Sequence, residues 1–473
     1  MARAIDKVAV CGAGAMGAGI AQVAAQAGAS VKIFDVNADA LAASRKRTLA
    51  DIEKLAARGK LTGEQAEAVR GRMEWVSSLD ALADRDLVIE AIIEDAGIKG
   101  ALFAELEAIV GPNAVIATNT SSLPISRLAR GLKAPQRFVG MHFFNPATVM
   151  KLVEVIAGAA TDPAIVTRIV ATAEQWGKVA IPVADVPGFI VNRVARPFYA
   201  EAFAALNEGV AEPAVIDSLF RSASFRMGPL ELTDLIGQDV NFAVARSVYE
   251  SYHGRTRFVP QLRQAALVDA GWFGRKTGRG VYDYRDGAQS FPPPETSPVE
   301  VSPVHRRAAA ELKDAAPGIF IRCGDIAIGK TRGPSARAES REQGRAVALL
   351  DWFSPDGEGP SGFAVSDETA TADAQAVLAA FSRSGYQLAD RPGLVVARTL
   401  AQITNAAADA VLEQVADEKG IDAALRFGAN YPFGPFAWAD RYGRRHLVSL
   451  LDAIADATGE ALYRPSYYLR NFA

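Results

Sequence analysis

The spacing of apolar positions along this chain changes character near residue 185, and that change divides it. Lys7–Cys11 is a short, almost continuous apolar run rich in valine, the pattern of a strand buried on both faces. An alanine-rich stretch of good helix formers follows, and then a second apolar run, Val31–Phe34. Asp39 to about Val69 has a helical, basic pattern. Met73–Ser77 and Asp86–Ile92 read as strands, Ala96–Val110 as a helix stopped by Gly111-Pro112, and Ala114–Thr118 as another buried strand. Arg137–Phe143 and Met150–Ile156 are strands flanking an Asn145-Pro146 turn. Asp162–Trp176 is a helix and Val179–Val183 a last strand. Strands alternating with helices predict a doubly wound sheet over residues 1–185.

Beyond that point the period is helical. Phe189–Glu208, Ala214–Ala223 and Leu230–Tyr252 predict helices, and GRKTGRGVYDY (Gly274–Tyr284) closes a helical domain over 186–287. Proline, serine and acidic residues at 288–304 mark a linker, extended to 318. The basic, polar stretch Lys330–Arg345 reads as an exposed loop. A repeat then emerges. PGFIVNR at 187–193 returns as PGLVVAR at 392–398, and MGPLELTDLIG at 227–237 as FGPFAWADRYG at 433–443, at offsets of 205 and 206 residues. The helical domain thus occurs again over 391–473. LLDWFSP (349–355) echoes GMHFFNP (140–146), with Asp351 in the place of His142, so 319–390 reads as a degenerate α/β segment.

Between the first strand and its helix, Gly12, Gly14 and Gly17 stand in G-x-G-x-x-G spacing. Gly12 makes the tight turn, Gly14 admits a pyrophosphate against the backbone, and Gly17 lets helix and strand pack closely. The phosphates would sit on the free N–H groups that open the helix, at Ala15 and Met16. The second strand ends in Asp35, 23 residues after Gly12. A carboxylate there accepts hydrogen bonds from the ribose 2′-hydroxyl and repels a 2′-phosphate. Strand, turn, helix, strand and acid together predict a Rossmann-like domain binding NAD rather than NADP.

Bulk properties narrow the rest. The 473 residues are 49% hydrophobic and 22% charged, with a formal net charge of −3. That balance describes an ordinary globular protein, not a general binder of nucleic acid or anionic membranes. Two cysteines, Cys11 and Cys323, exclude a disulfide framework, and no apolar run is long enough to span a bilayer. The first core strand begins within seven residues of the start, leaving no room for a signal peptide, so the expected location is cytoplasmic. No metal is expected.

The second informative region is ATNTSSLPIS (117–126) followed by RFVGMHFFNPATVMKLVEVI (137–156). If the chain reverses at Pro146–Val149, His142 and Glu154 lie equally far from the turn. Opposed residues of an antiparallel pair share a face, so imidazole and carboxylate could touch. Imidazole titrates near 6.5, which suits a general acid/base at neutral pH, and a carboxylate partner would fix its tautomer.

The glycine turn, the NTSS and HFFNP segments, PGFIVNR, MGPLELTDLIG and KTGRGVY together resemble the L-3-hydroxyacyl-CoA dehydrogenase family. The resemblance spans nearly all of residues 1–287. The second helical copy resembles the longer, duplicated bacterial members, which include 3-hydroxybutyryl-CoA dehydrogenases and the 3-hydroxyadipyl-CoA dehydrogenases of phenylacetate breakdown. It implies His142 as base, Glu154 orienting it, and Ser121 and Asn192 bonding the substrate's oxygens. It implies Asn145 at the nicotinamide, Glu94, Lys99 and Lys276 near the cofactor, and Lys54 and Arg58 in the helix that meets CoA. Arg226, beside Met227-Gly228-Pro229, is a candidate partner for a distal carboxylate on the acyl chain. In single-copy members the helical domains of two subunits pack across a two-fold axis. The second copy here would then act as an intrachain pseudo-dimer partner, with a homo-oligomer still open. Two alternatives stand: a β-hydroxyacid dehydrogenase acting on a free acid, and a non-catalytic, crystallin-like NAD-binding protein.

Overall fold

The computed structural model describes residues 5–472 apart from 289 and 355–357. Residue 289 of the linker and Pro355, the counterpart of Pro146, therefore lie outside the described residues. The chain forms two compact units, Met1–Val191 with Gln414–Ala429, and Asn192–Glu413 with Asn430–Ala473.

The first unit is built on eight strands: β1 (Lys7–Cys11), β2 (Ser30–Phe34), β3 (Met73–Val76), β4 (Leu87–Glu90), β5 (Val115–Thr118), β6 (Phe138–Phe143), β7 (Leu152–Ala157) and β8 (Val179–Ala184). Their spatial order is β3-β2-β1-β4-β5-β6-β7-β8. The first six run parallel, β6 and β7 pair antiparallel, and β8 is parallel to β7. Because β1, β4 and β5 are central, their residues are apolar on both faces, and Val8, Val10, Leu87, Ile89, Val115 and Ala117 are fully buried. The order reverses direction beside β1, whose carboxyl end carries the glycine turn, the usual place for a ligand in such sheets. The helix Glu418–Gly428, part of the second helical copy by sequence, packs on β7 and β8 of this sheet.

The second unit holds the first helical copy, the segment from 303 onward and the rest of the second copy. Its sheet has β9 (Phe320–Cys323), β10 (Ile326–Lys330), β11 (Val347–Leu350), β12 (Ser361–Val365) and β13 (Gly385–Gln387), in the order β13-β12-β11-β10-β9. β10 and β11 are parallel, β11 and β12 antiparallel, β12 and β13 parallel. The sequence of directions is that of β5 to β8, so half of the first sheet persists here. β9, antiparallel to β10, stands where β4 would. The stretch read as an exposed loop at Lys330–Arg345 instead contains the helix Ala336–Gln343. Ser335 caps it, and Arg332 reaches into it to pair with buried Glu339.

The helical copies match in detail. Pro229–Ile236 and Pro435–Tyr442 each end at a glycine with positive φ, Gly237 at 103° and Gly443 at 93°. Phe189 and Leu394, one residue after the repeated Pro-Gly, both take left-handed backbone, at φ 47° and 54°. Such a conformation costs roughly 1–3 kcal/mol for a non-glycine residue and persists only where the surroundings enforce it. Within the second unit, side chains of the two copies interlock. Arg193 pairs with Glu413 at 2.7 Å and Arg398 with Glu201 at 3.0 Å, while Phe198 and Phe225 pack on Tyr431 at ring separations of 5.4 and 5.1 Å.

Candidate active site

The glycine turn is shaped by steric necessity. Gly12 has φ 111°, and a Cβ there would lie 2.4 Å from the carbonyl oxygen of Ala91. A Cβ on Gly17 would lie 1.9 Å from the carbonyl oxygen of Gly12, whereas one on Gly14 would meet nothing within 4 Å. The turn is therefore closed on the protein side and open at Gly14. The helix Ala15–Gln26 begins there with no side-chain cap and no acidic residue in its first turn. Its unpaired N–H groups and positive dipole end suit a pyrophosphate. Asp35 is fixed at the end of β2, its carboxylate accepting the N–H groups of Ala13 at 2.8 Å and Asn37 at 2.9 Å. A carboxylate has further lone pairs for a ribose hydroxyl, and the residues present fit NAD.

Beside the turn, β4 ends in Glu90, which is fully buried. It accepts from Lys99 Nζ at 2.6 Å, Thr118 Oγ1 at 2.6 Å and the Ile92 N–H at 2.7 Å. Lys99, expected near the cofactor, is only 1% exposed and also reaches Glu94 at 3.1 Å. Its visible work is to hold these two acids. Glu94 accepts from Thr120 Oγ1, the Ser121 and Ser122 N–H groups, and Ser122 Oγ at 2.5–3.2 Å. Burial pushes its carboxyl up, but the Thr120 hydrogen bond and the Lys99 charge outweigh this and leave it below the ordinary value. Glu94 thus pins the loop that carries Ser121, which is exposed.

The antiparallel register of β6 and β7 sets His142 directly opposite Glu154. Their side chains meet at 2.7 Å, Nδ1 to Oε2, at 6% and 1% exposure. The other carboxylate oxygen accepts the N–H groups of Ile190 at 3.0 Å and Val191 at 3.1 Å. Three interactions of one carboxyl group therefore tie strand, imidazole and following helix together. An anionic acceptor on Nδ1 keeps the proton of a neutral imidazole there and leaves Nε2 as the free base. Phe144 and Phe189 flank the ring at 4.6 and 5.7 Å between centroids. Asn119 Oδ1 accepts the Phe143 N–H at 2.8 Å and steadies the end of β6. Asn145, next along the chain, is exposed and precedes a cis peptide to Pro146.

The remaining sequence candidates fall elsewhere. Lys54 and Arg58 are exposed at the C-terminal end of the helix Ala38–Ala57, with Lys54 pairing Asp51 at 3.2 Å. Asn192, Arg226 and Lys276 belong to the other unit. Asn192 is half-buried, Arg226 exposed, and Lys276 pairs with Asp239 at 2.6 Å. Sequence reasoning passed over Asn119, Glu90 and Thr120. Asn119 and Thr120 sit within the NTSS segment, and that position at the end of β5 was the signal.

In the second sheet Asp351 stands where His142 does, opposite Gly362. It is 1% exposed and accepts the N–H groups of Trp352, Val395, Val396 and Ala397 at 2.7–3.0 Å. There is no imidazole at this place. Among the described residues His305, Cys323 and Asp373 bring potential metal-binding atoms within 4.8 Å of one another. His305 Nδ1 accepts the Ser302 N–H at 3.1 Å, so Nε2 carries the proton given to Asp373 at 2.9 Å, and the pair is a bridge between two helices.

Family models match both halves of this arrangement. The NAD binding domain of 3-hydroxyacyl-CoA dehydrogenase matches residues 7–186, and its C-terminal domain matches 188–284 and again 393–473. The chain belongs to the 3-hydroxyacyl-CoA dehydrogenase family. Within that family it is 42% identical to the 3-hydroxyadipyl-CoA dehydrogenase of Escherichia coli K12, over 99% of this chain and 98% of that one. A crystal structure of 3-hydroxybutyryl-CoA dehydrogenase from E. coli K12 superposes with a TM-score of 0.92 at 41% identity, covering 100% and 98% of the two chains. A probable 3-hydroxybutyryl-CoA dehydrogenase of Bacillus subtilis is 42% identical over 283 residues, 60% of this chain and 98% of its own length. This 3-hydroxyacyl-CoA dehydrogenase is thus an NAD-dependent oxidoreductase acting on a CH–OH group. No helix among its described residues is long and apolar enough to cross a membrane.

Proposed function

We propose that the enzyme oxidises short-chain (S)-3-hydroxyacyl-CoA thioesters, 3-hydroxybutyryl-CoA or 3-hydroxyadipyl-CoA, to the 3-keto thioesters, with His142 as the base. The observation that carries this reading is the buried 2.7 Å contact between His142 Nδ1 and Glu154. Bound NAD supplies the hydride acceptor, held by the turn Gly12–Gly17, Asp35 and the loop fixed by Glu94. His142 Nε2 takes the proton of the 3-hydroxyl as C3 loses its hydride and the C3–O bond becomes a carbonyl. The imidazolium so formed is stabilised by Glu154, whose charge is in turn steadied by the Ile190 and Val191 N–H groups. In reduction the imidazolium returns that proton. Ser121 and Asn192 donate to the substrate's oxygens where negative charge develops, Asn145 borders the nicotinamide, Lys276 is a further candidate for the cofactor, and Lys54 and Arg58 meet the CoA phosphates.

The same reading takes the second helical copy as an internal partner. It replaces the subunit contact of shorter relatives within one chain, and it is silent because Ala397 and Asp351 stand where Asn192 and His142 would be needed. NADH oxidation with acetoacetyl-CoA and with free acetoacetate tests the substrate class. Turnover of the thioester alone is expected. Turnover of the free acid alone would favour a β-hydroxyacid dehydrogenase, and turnover of neither a non-catalytic protein.

A further inference from the structure

The silent second copy reaches the catalytic pair through one helix. Glu418–Gly428 is the counterpart of Pro213–Ser222 in the first copy, yet it belongs with the first sheet. It buries Gly420, Ile421, Ala424 and Leu425, and the strand end before it is stitched to the chain leading into it by the Ala184 N–H to Val415 O bond at 3.1 Å. The helix ends at Gly428. A Cβ built there would lie 2.5 Å from Leu152 Cδ2, 3.0 Å from Val191 Cγ2 and 3.5 Å from Phe144 Cζ.

These three neighbours are the supports of the catalytic pair. Leu152 precedes Glu154 by two on β7, so both side chains leave the same face of the strand. The Val191 N–H donates to Glu154, and the Phe144 ring lies against His142. Gly428 is not needed for its backbone, since it is helical and its φ is not among the positive ones. Alanine has the higher helix propensity. What glycine provides is space where three supporting side chains converge.

We infer that Gly428 is a positioning residue for the His142–Glu154 pair, so that the inactive copy completes the active site of the first. This rests on that pair being the reacting one. A side chain at 428 displaces Leu152, Val191 or Phe144, and with them the carboxylate or the ring that sets the imidazole. Displacements of this kind far from the reacting atoms are costly because proton and hydride transfer require near-attack geometry.

The test uses the full-length enzyme with acetoacetyl-CoA and NADH. Gly428→Ala improves helix propensity and should fold, and Gly428→Val enlarges the clash. Expected are falls in kcat of several-fold for Ala and about tenfold or more for Val, with KM for NADH unchanged. Leu152→Val, which removes the nearest methyl, should restore most of the kcat lost in Gly428→Ala. Gly71→Ala, at the end of another helix of the same unit and with nothing within 4 Å of its Cβ position, should leave kcat within about twofold. A wild-type kcat in both Gly428 variants, or an equal loss in Gly71→Ala, would overturn the inference. His142→Ala is measured in parallel: retention of kcat there overturns the pair itself, whereas its loss with Gly428→Val unaffected overturns only the role of Gly428.

Discussion

Asp351 does for the second copy what Glu154 does for the first, but from the neighbouring strand. Glu154 on β7 accepts the N–H groups of Ile190 and Val191, and Asp351, just past β11, accepts those of the equivalent Val395 and Val396. In the first copy the strand position equivalent to Asp351 is His142, so the longer reach from β7 leaves room for an imidazole. In the second copy the carboxylate has taken that room and Gly362 stands opposite. One exchange of position removes the base while keeping the helix anchored.

Asp351→Ala should therefore cost stability and not catalysis. It strands three buried N–H donors, those of Val395, Val396 and Ala397, and a part-buried one at Trp352; each unsatisfied buried donor costs roughly 1–3 kcal/mol before relaxation, so a loss of about 3 kcal/mol or more is expected. Urea unfolding measures it, and kcat per folded molecule should stay at the wild-type level. Unchanged stability would mean that the anchor is dispensable.

Asp35→Ala should weaken NAD and relax the rejection of NADP. The variant removes a charge-assisted acceptor and a repulsive charge together, so the preference between cofactors should fall by about tenfold or more. The ratio of kcat/KM for the two cofactors reports it. An unchanged ratio would refute the role.

Arg226 is exposed at the foot of the repeated Gly-Pro helix, where the second copy has Pro432. A bidentate contact with a distal carboxylate would make Arg226→Met lose kcat/KM for 3-hydroxyadipyl-CoA while sparing 3-hydroxybutyryl-CoA. The expected difference is about tenfold, the worth of one charge-assisted contact. Equal losses on both substrates would exclude such a contact.

Cutting the chain near residue 290 should uncover the surfaces that the second copy covers. Phe198 and Phe225 lose Tyr431, Arg193 loses Glu413 and Glu201 loses Arg398, leaving apolar area and unpaired buried charge. A 1–290 fragment should aggregate or form a new dimer in light scattering. A soluble, fully active monomer would contradict the internal-partner reading.

Much of this was legible in the sequence because it is local. The glycine spacing, the acid closing β2 and the alternation of strands and helices are set within a few residues of each other. The opposition of His142 and Glu154 follows from counting outward from the turn. What was not legible depends on distant partners. Ala336–Gln343 looks like a polar loop because its stabilising contacts, Ser335 at its cap and Arg332 on Glu339, carry no apolar period. The attachment of Glu418–Gly428 to the first sheet depends on small residues meeting Ile181 and Leu152 across more than 200 positions. Lys99 reads as a cofactor residue by resemblance, and only its burial beside Glu90 reveals a supporting role.

The most direct measurement of the central claim is kcat of His142→Ala with acetoacetyl-CoA and NADH, alongside the affinity for NADH. General-base residues typically contribute about 10²–10⁴-fold. A fall in that range with NADH binding nearly unchanged is the predicted result. A variant that turns over at the wild-type rate would contradict the account.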